Sequence, residues 1–83
     1  MDKRFFNFFN LTEEQAIALL DTPQDQISEN DSRYIAASHL VNFATDQSIQ
    51  ALMRAVQQTD PALDNRIVRR KSIETLGRLQ ATQ

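Results

Sequence analysis

Apolar residues recur along this chain at the spacing of an α-helix rather than that of a β-strand. The clearest case lies in residues 46–57, where four apolar side chains follow the i, i+3, i+4, i+7 pattern of one helix face: Ile49, Leu52, Met53 and Val56. Alternation of β-branched and polar residues is not sustained anywhere, and the chain contains only one Gly and two Pro. The pattern predicts an all-α fold of four helices.

The first helix is bounded by residues with specific hydrogen-bonding roles. The stretch "TEEQ" at 12–15 has the pattern of a capping box, in which Thr12 accepts from a backbone amide and the Gln15 side chain accepts from the cap's own N–H. Glu13 and Glu14 then lie in the first turn, where the helix dipole favours acids. Pro23 ends the helix because it cannot donate a hydrogen bond and disfavours helical geometry in the preceding residue.

Three more helices follow. The second is expected to start between Ser28 and Asp31, with acidic residues in its first turn. Thr45 or Asp46 caps the third helix, and the fourth covers residues 64–79.

The second and fourth of these helices share a sequence pattern. The segment "SRYIAASHLVNF" (32–43) aligns without gaps with "VRRKSIETLGRL" (68–79), an offset of 36 residues. Four pairs carry the likeness: Arg33 with Arg69, Ala36 with Ser72, Leu40 with Leu76, and Phe43 with Leu79. A period in this range, with one helix pair per repeat, is typical of helical solenoids. The chain is therefore predicted to form a HEAT-like α-solenoid of stacked antiparallel helix hairpins.

The repeat divides one domain into three parts. Residues 1–27 are expected to form an N-terminal cap, residues 28–60 the first repeat hairpin, and residues 61–83 the first helix of a second repeat. The stripe of this last helix consists of Val68, Ser72, Leu76 and Leu79. Because the helix lacks its own partner, part of that stripe should remain uncovered. The sequence predicts either a homodimer formed through that stripe or a longer native polypeptide with further repeats.

The charge is distributed unevenly along the sequence. The formal net charge is −2, but residues 1–50 carry three cations and eight acids, whereas residues 51–83 carry six cations and three acids. The second part is therefore the better candidate for contact with an anion. Without overall basicity or aromatic residues interleaved among the cations, no nucleic-acid partner is expected.

Composition also excludes several kinds of site. The chain has no cysteine, which excludes disulfides, thiolate metal sites and a cysteine nucleophile. The acids of "DTPQDQISEND" (21–31) lack the alternating ligands and central Gly of a calcium loop, so no metal site is predicted. No apolar run approaches the ~18 residues of a spanning helix, and the N-terminus lacks the features of a signal peptide. We expect a soluble, cytoplasmic protein without membrane insertion.

Three stretches resemble a known family. "RYIAASHLVNF", "SIQALMRAVQ" and "NRIVRRKSIETLGRL" are similar to the HEAT-like repeats of the phycobilisome bilin lyases, and most similar to the N-terminal region of the E/F type. The resemblance covers residues 12–79, including the opening "LTEEQAIALL". It implies a right-handed solenoid from a cyanobacterium that helps to attach linear tetrapyrroles to light-harvesting proteins, or in some relatives to remove them. The first 23 residues favour a phycoerythrin-directed lyase.

The resemblance also implies ligands and partners. No cofactor is expected to be bound permanently, but a phycobilin is a possible transient ligand. The expected partners are a phycobiliprotein subunit or a second lyase subunit. Because family lyases contain several more repeats than this chain, the sequence leaves open whether it forms part of an enzyme or a non-catalytic adaptor, and it identifies no catalytic residue.

The candidate binding residues include a run of three cations: Arg69, Arg70 and Lys71. Guanidinium groups bind carboxylates in a bidentate manner, so this cluster suits the propionates of a bilin or an acidic protein surface. In the alternative interpretation, Arg66 and Arg70 form a solvated face with Glu74, while Arg69 recurs because it supports stacking between repeats.

Tyr34 and His39 complete the candidate binding residues. The repeat partner of Tyr34 is Arg70, which predicts an outward-facing position from which the ring could stack on a flat chromophore. His39 is the only histidine and could act as an acid or base, or else fill a partly buried position at the edge of the core.

Four of the five phenylalanines lie in "RFFNFFN" at residues 4–10. They could anchor the chain to an interface or a partner, but a terminal repeat also needs a cap. We expect them to cover the open end of the solenoid.

Overall fold

The computed structural model describes residues 11–28 and 31–81. These residues form four α-helices and no strand: α1 Glu13–Asp21, α2 Arg33–His39, α3 Asp46–Val56 and α4 Leu63–Ala81. Two short 3₁₀ helices, Gln24–Gln26 and Leu40–Asn42, lie between them. The predicted all-α class is confirmed. The phenylalanine-rich segment at 4–10 lies outside the described residues, so its predicted capping role stays a prediction.

The four helices form two layers. α1 lies beside α3 in one layer, and α2 lies beside α4 in the other, while α1 also contacts α2 and α3 also contacts α4. The pair α1–α2 thus stacks against the pair α3–α4, as helix pairs do in a helical solenoid. The core between the layers consists of ten apolar side chains: Ala16, Leu20, Ala36, Ala37, Leu40, Ala51, Leu52, Ala55, Val68 and Leu79.

The helix starts follow from side-chain caps. Thr12 Oγ1 accepts from the Gln15 amide and Gln15 Oε1 accepts from the Thr12 amide, both at 3.0 Å, so the predicted capping box is present. Thr45 caps α3 by accepting from the Ser48 amide at 3.1 Å. Thr22 follows α1 in an extended conformation, as expected for a residue before proline.

The predicted start of α2 was too early. The cap is Ser32, whose Oγ accepts from the Ile35 amide at 3.1 Å. Before this cap, the Asp31 amide donates to the Ser28 carbonyl at 2.9 Å. Asp31 therefore precedes the helix and is not in its first turn.

The buried face of α3 also differs from the predicted one. Leu52 is buried, but Met53 is 47% exposed and Ile49 and Val56 are only partly buried. Three small residues are buried instead: Ser48, Ala51 and Ala55. The reason is tertiary, because α3 contacts both α1 and α4 and small side chains let these helices approach.

On α4 the predicted stripe is largely correct. Val68, Ser72 and Leu79 are buried, whereas Leu76 is partly buried and Thr75 is buried beside it. The Ser72 hydroxyl donates to the Val68 carbonyl at 2.8 Å, which satisfies a polar group at a closely packed position.

Candidate partner-binding surface

Tyr34 and Lys71 meet where α2 and α4 lie side by side. Tyr34 is 44% exposed, as its outward-facing position predicted, and Lys71 Nζ lies 5.4 Å from the centroid of its ring. This distance is within the range of a cation–π contact. Lys71 Nζ is also 3.4 Å from Glu74 Oε1, which accepts from Arg78 Nη2 at the same distance. The layer therefore places an exposed aromatic ring beside a lysine whose side chain is 17% exposed.

Arg69 and its repeat counterpart Arg33 make equivalent bonds. Arg33 Nε donates to the carbonyl of Leu20 at 3.0 Å, near the end of α1. Arg69 Nη1 donates to the carbonyl of Gln58 at 3.0 Å, just beyond the end of α3. Each arginine thus ties its helix to the C-terminal end of the preceding one, where carbonyl groups lack helical partners. This geometry supports the interpretation of Arg69 as a stacking residue.

Arg33 makes further contacts that Arg69 does not repeat within the described chain. Its Nη1 donates to Asn65 Oδ1 of α4 at 3.3 Å and lies 3.4 Å from Gln24 Oε1. Only 5% of Arg33 is exposed, and burial lowers the pKa of its guanidinium, an effect that the Asp21 carboxylate partly opposes. Arg33 therefore joins α1, α2 and α4.

Arg70 and Arg66 lie on the solvent side of α4. Both are exposed, and with Arg69 they line a shallow groove whose apolar wall consists of Leu63, Ile67 and Ile73. Glu74 is exposed as well, in keeping with a solvated face, but its carboxylate pairs with Lys71 and Arg78. Helix geometry places residues 71 and 78 three and four positions from Glu74, within reach of its carboxylate.

His39 is engaged at a different place in the fold. Its Nε2 lies 2.7 Å from the Leu11 carbonyl, so this nitrogen carries the proton that is donated. The ring also packs edge-on against Phe43, with centroids 5.5 Å apart. His39 is at the C-terminal end of α2, whereas Tyr34 is in its first turn. The structure thus brings Tyr34 and Lys71 together but gives His39 contacts typical of a packing residue.

One polar cluster was not anticipated from the sequence. Glu13 Oε2 accepts hydrogen bonds from the hydroxyls of Thr45 and Ser48, the latter at 2.6 Å. The bonds from Ser48 and Thr45 lower the pKa of the Glu13 carboxyl below its ordinary value. From the sequence, Glu13 was recognised only as an acid in the first turn of α1. The neighbouring residues give no indication that the start of α3 lies beside it. The cluster ties the start of α1 to the start of α3.

A second bridge between these helices lies at the other end of α1. Arg54 of α3 donates from Nε to Asp21 Oδ1 at 3.2 Å and from Nη2 to Asp21 Oδ2 at 2.9 Å. This bond to Asp21 raises the pKa of the Arg54 guanidinium. The pair is exposed, and its geometry fixes the spacing of α1 and α3 more than it stabilises them.

The part of the chain that the structure describes contains no group of three or more His, Asp or Glu side chains placed to hold a metal ion. Over the same residues, no helix has the length and apolar character that a membrane span requires.

Comparison with known proteins identifies the repeat. Residues 32–58 match the family model of the PBS lyase HEAT-like repeat. The match runs from Ser32, the cap of α2, to Gln58, whose carbonyl accepts from Arg69. The resemblance to the PBS lyase HEAT-like repeats is confirmed for residues 32–58, and the two-layer helical arrangement agrees with it.

A much longer relative aligns with nearly the whole of this chain. The "uncharacterized phycocyanin operon protein Y" of Pseudanabaena tenuis is 76% identical over 82 residues, which cover 99% of this chain and 20% of the relative. The chain thus spans about a fifth of the length of the curated relative it matches. No solved structure matches the chain significantly.

Proposed function

We propose that this HEAT-like unit takes part in attaching a linear tetrapyrrole to a phycobiliprotein, by binding the bilin, the acceptor protein or both. The PBS lyase repeat at residues 32–58 and the relative named for a phycocyanin operon support a role connected with phycobilisomes. The proposed role is one of binding and positioning.

The observation that carries this proposal is the Tyr34–Lys71 pair. A bilin has conjugated rings and propionate groups, so it requires an aromatic or apolar platform next to cations. Tyr34 supplies an exposed ring, Lys71 Nζ lies 5.4 Å from its centroid, and Arg70 is exposed on the same helix as Lys71. A ring of the bilin would stack on Tyr34 while a propionate displaces Glu74 from Lys71.

A non-catalytic adaptor is the second candidate, and the contacts of His39 favour it. His39 is the only histidine of the chain, and its ring joins α2 to Leu11 and Phe43. In this case the same helical surface would bind a protein without contacting a chromophore. The two candidates share their surface and differ in whether a bilin is bound.

Absorbance and fluorescence spectroscopy separate the candidates. The chain is titrated into a phycobilin, and then into the same bilin with an apo-phycobiliprotein subunit. We expect a change in bilin absorbance that is weakened on the order of tenfold by Tyr34→Ala or Lys71→Ala, and only slightly by Arg78→Ala, an exposed cation of the same helix. Protein binding without a spectral change would favour the adaptor, and no binding to either would refute both.

The acceptor can be identified in the same assay. The opening of the sequence favours phycoerythrin, whereas the relative is named for phycocyanin. Apo-subunits of the two proteins are compared side by side under identical conditions. The preferred acceptor is the one whose chromophore yield rises when the chain is added.

A further inference from the structure

The outer surface of α4 combines exposed aliphatic side chains with arginines. Leu63, Ile67 and Ile73 are 68%, 43% and 55% exposed. Together with three arginines they line a single groove, called here the outer groove: Leu63, Arg66, Ile67, Arg69, Arg70 and Ile73. Large exposed aliphatic residues that line one groove indicate a binding surface more often than scattered ones do.

The internal repeat shows what kind of element fits this groove. On α2, Arg33 binds Asn65 of the neighbouring α4, and Ala37 is fully buried. Their counterparts 36 residues later are Arg69 and Ile73, which line the outer groove. The outer groove of α4 is therefore formed at the positions that correspond to the side of α2 contacted by α4. A helix lying along α4 as α4 lies along α2 would cover it.

Tyr34 leads to the same conclusion and adds a charge. It meets Lys71 of α4, while its counterpart Arg70 is exposed in the outer groove. On α2, Lys71 of α4 lies over the ring of Tyr34. At the equivalent position of α4, a stacked element would meet the cation Arg70. The complementary group at that position is a carboxylate.

Gly77 supports a close approach of another element. It lies inside α4, is exposed, and a Cβ atom at this position would meet no heavy atom within 4 Å. Its conformation requires no glycine, because no described residue has a positive φ. Glycine inside a helix costs about 1 kcal/mol relative to alanine. Nothing within the described molecule compensates for this cost, but a backbone packed against α4 would.

The charge of the outer groove distinguishes a second copy of this chain from a partner helix as its occupant. The outer groove contains three arginines and no acid. Of the flanking carboxylates on α4, Glu74 is paired with Lys71 and Arg78, and Asp64 lines the adjoining pocket with Ile67. A symmetric dimer through this groove would place the arginines of one copy against those of the other, which is unfavourable. These charges oppose a homodimer through the outer groove. The stripe from which a dimer was predicted is largely buried, with Val68 and Leu79 only 3% and 2% exposed.

We propose that the outer groove docks an acidic amphipathic helix of a partner protein, which lies along α4 as α4 lies along α2. Aliphatic residues of that helix contact Leu63, Ile67 and Ile73, and its carboxylates bind the arginines. Arg69 keeps its bond to Gln58 and has further donors for the partner, as Arg33 has for Asn65. The outer groove shares Arg70 with the bilin site proposed above, and the docking of a partner helix goes beyond that function.

Two synthetic peptides test the proposal. Both are about 20 residues long, so that they form helices readily, and share leucines at i, i+3, i+4 and i+7. One carries Glu and the other Lys at the flanking positions, and each bears a fluorophore for anisotropy titration. We expect the Glu peptide to bind at least about tenfold more tightly than the Lys peptide, with an affinity that falls as salt is added.

Variants of exposed residues test whether the peptide binds in the outer groove. The double variant Arg66→Glu with Arg70→Glu should reverse the preference to the Lys peptide, whereas Arg78→Glu should preserve it. Ile73→Asp should weaken binding on the order of tenfold, while Met53→Asp, an equally exposed change on α3, should not. Circular dichroism confirms that each variant is folded.

Two results would overturn the proposal. One is equal binding, or no binding, of the two peptides to the folded wild-type chain. The other is a dimer of the free chain in sedimentation experiments that Ile73→Asp abolishes, because it would assign the outer groove to a second copy.

Discussion

Arg33 and Arg69 occupy equivalent places in the repeat, but only Arg33 is covered by a following helix. Replacing each with methionine removes the guanidinium group and retains most of the aliphatic stem. In Arg33→Met, the Leu20 carbonyl and Asn65 Oδ1 lose a charged donor in a buried setting. In Arg69→Met, the Gln58 carbonyl loses its donor at a site that water can reach. The two substitutions should therefore differ in cost.

The expected difference follows from the number and burial of the lost bonds. A hydrogen bond to a charged group contributes about 1.5–3 kcal/mol, and a buried acceptor left unpaired costs about 1–3 kcal/mol. Arg33→Met should therefore reduce the free energy of unfolding by about 2–4 kcal/mol, and Arg69→Met by less than about 1 kcal/mol. For a domain of this size, each 1 kcal/mol lowers Tm by about 4–8 °C.

Urea unfolding followed by circular dichroism at 222 nm measures both values. Arg33→Lys is a useful third variant, because it keeps the charge but loses the fork geometry, and it should be nearly as destabilising as Arg33→Met. Equal effects of Arg33→Met and Arg69→Met, or a cost below about 1 kcal/mol at position 33, would refute the role assigned to Arg33 in joining three helices.

Three further predictions concern stability and pH. Gly77→Ala should stabilise the free chain by about 0.5–1 kcal/mol, since the added methyl group meets no atom and the helix gains propensity; a lower thermal midpoint would show that the position is strained. Because the folded state lowers the pKa of Glu13, its contribution is present above the ordinary value of 4.5 and is lost as pH falls through the lower folded value. Urea midpoints measured between about pH 6 and pH 3 should fall with acid in the wild type and less steeply in Glu13→Gln; parallel curves would contradict this. Ile73→Ser should leave the thermal midpoint almost unchanged, as should Met53→Ser, because both side chains are half exposed; a large loss at 73 alone would mean that the residue is buried in solution.

Local rules predicted the parts of the fold that depend on neighbouring residues. The capping box at Thr12 and the stop at Pro23 involve contacts within four residues, and both are present. The start of α2 was misplaced because Ser28 and Asp31 are residue types that favour a helix start, although both precede the actual cap. The actual cap is Ser32, which directly precedes the seven residues of α2.

Tertiary contacts account for the other errors. Helical periodicity gave α3 an amphipathic face but could not show that two helices would contact it, so Met53 was assigned to the core instead of Ala51 and Ala55. The same limit applies to the candidate surface. The repeat offset indicated that Tyr34 faces outwards, but the approach of Lys71 depends on how α2 and α4 lie side by side.

Nuclear magnetic resonance tests the central claim most directly. Backbone amide shifts of the ¹⁵N-labelled chain are followed while a phycobilin, and separately an apo-phycobiliprotein subunit, is added. We predict that the amides of Tyr34, Arg70 and Lys71 shift first and to the greatest extent, with those of α1 little affected. Shifts confined to α1, or none with either addition, would contradict the assignment of the α2–α4 surface as the binding site.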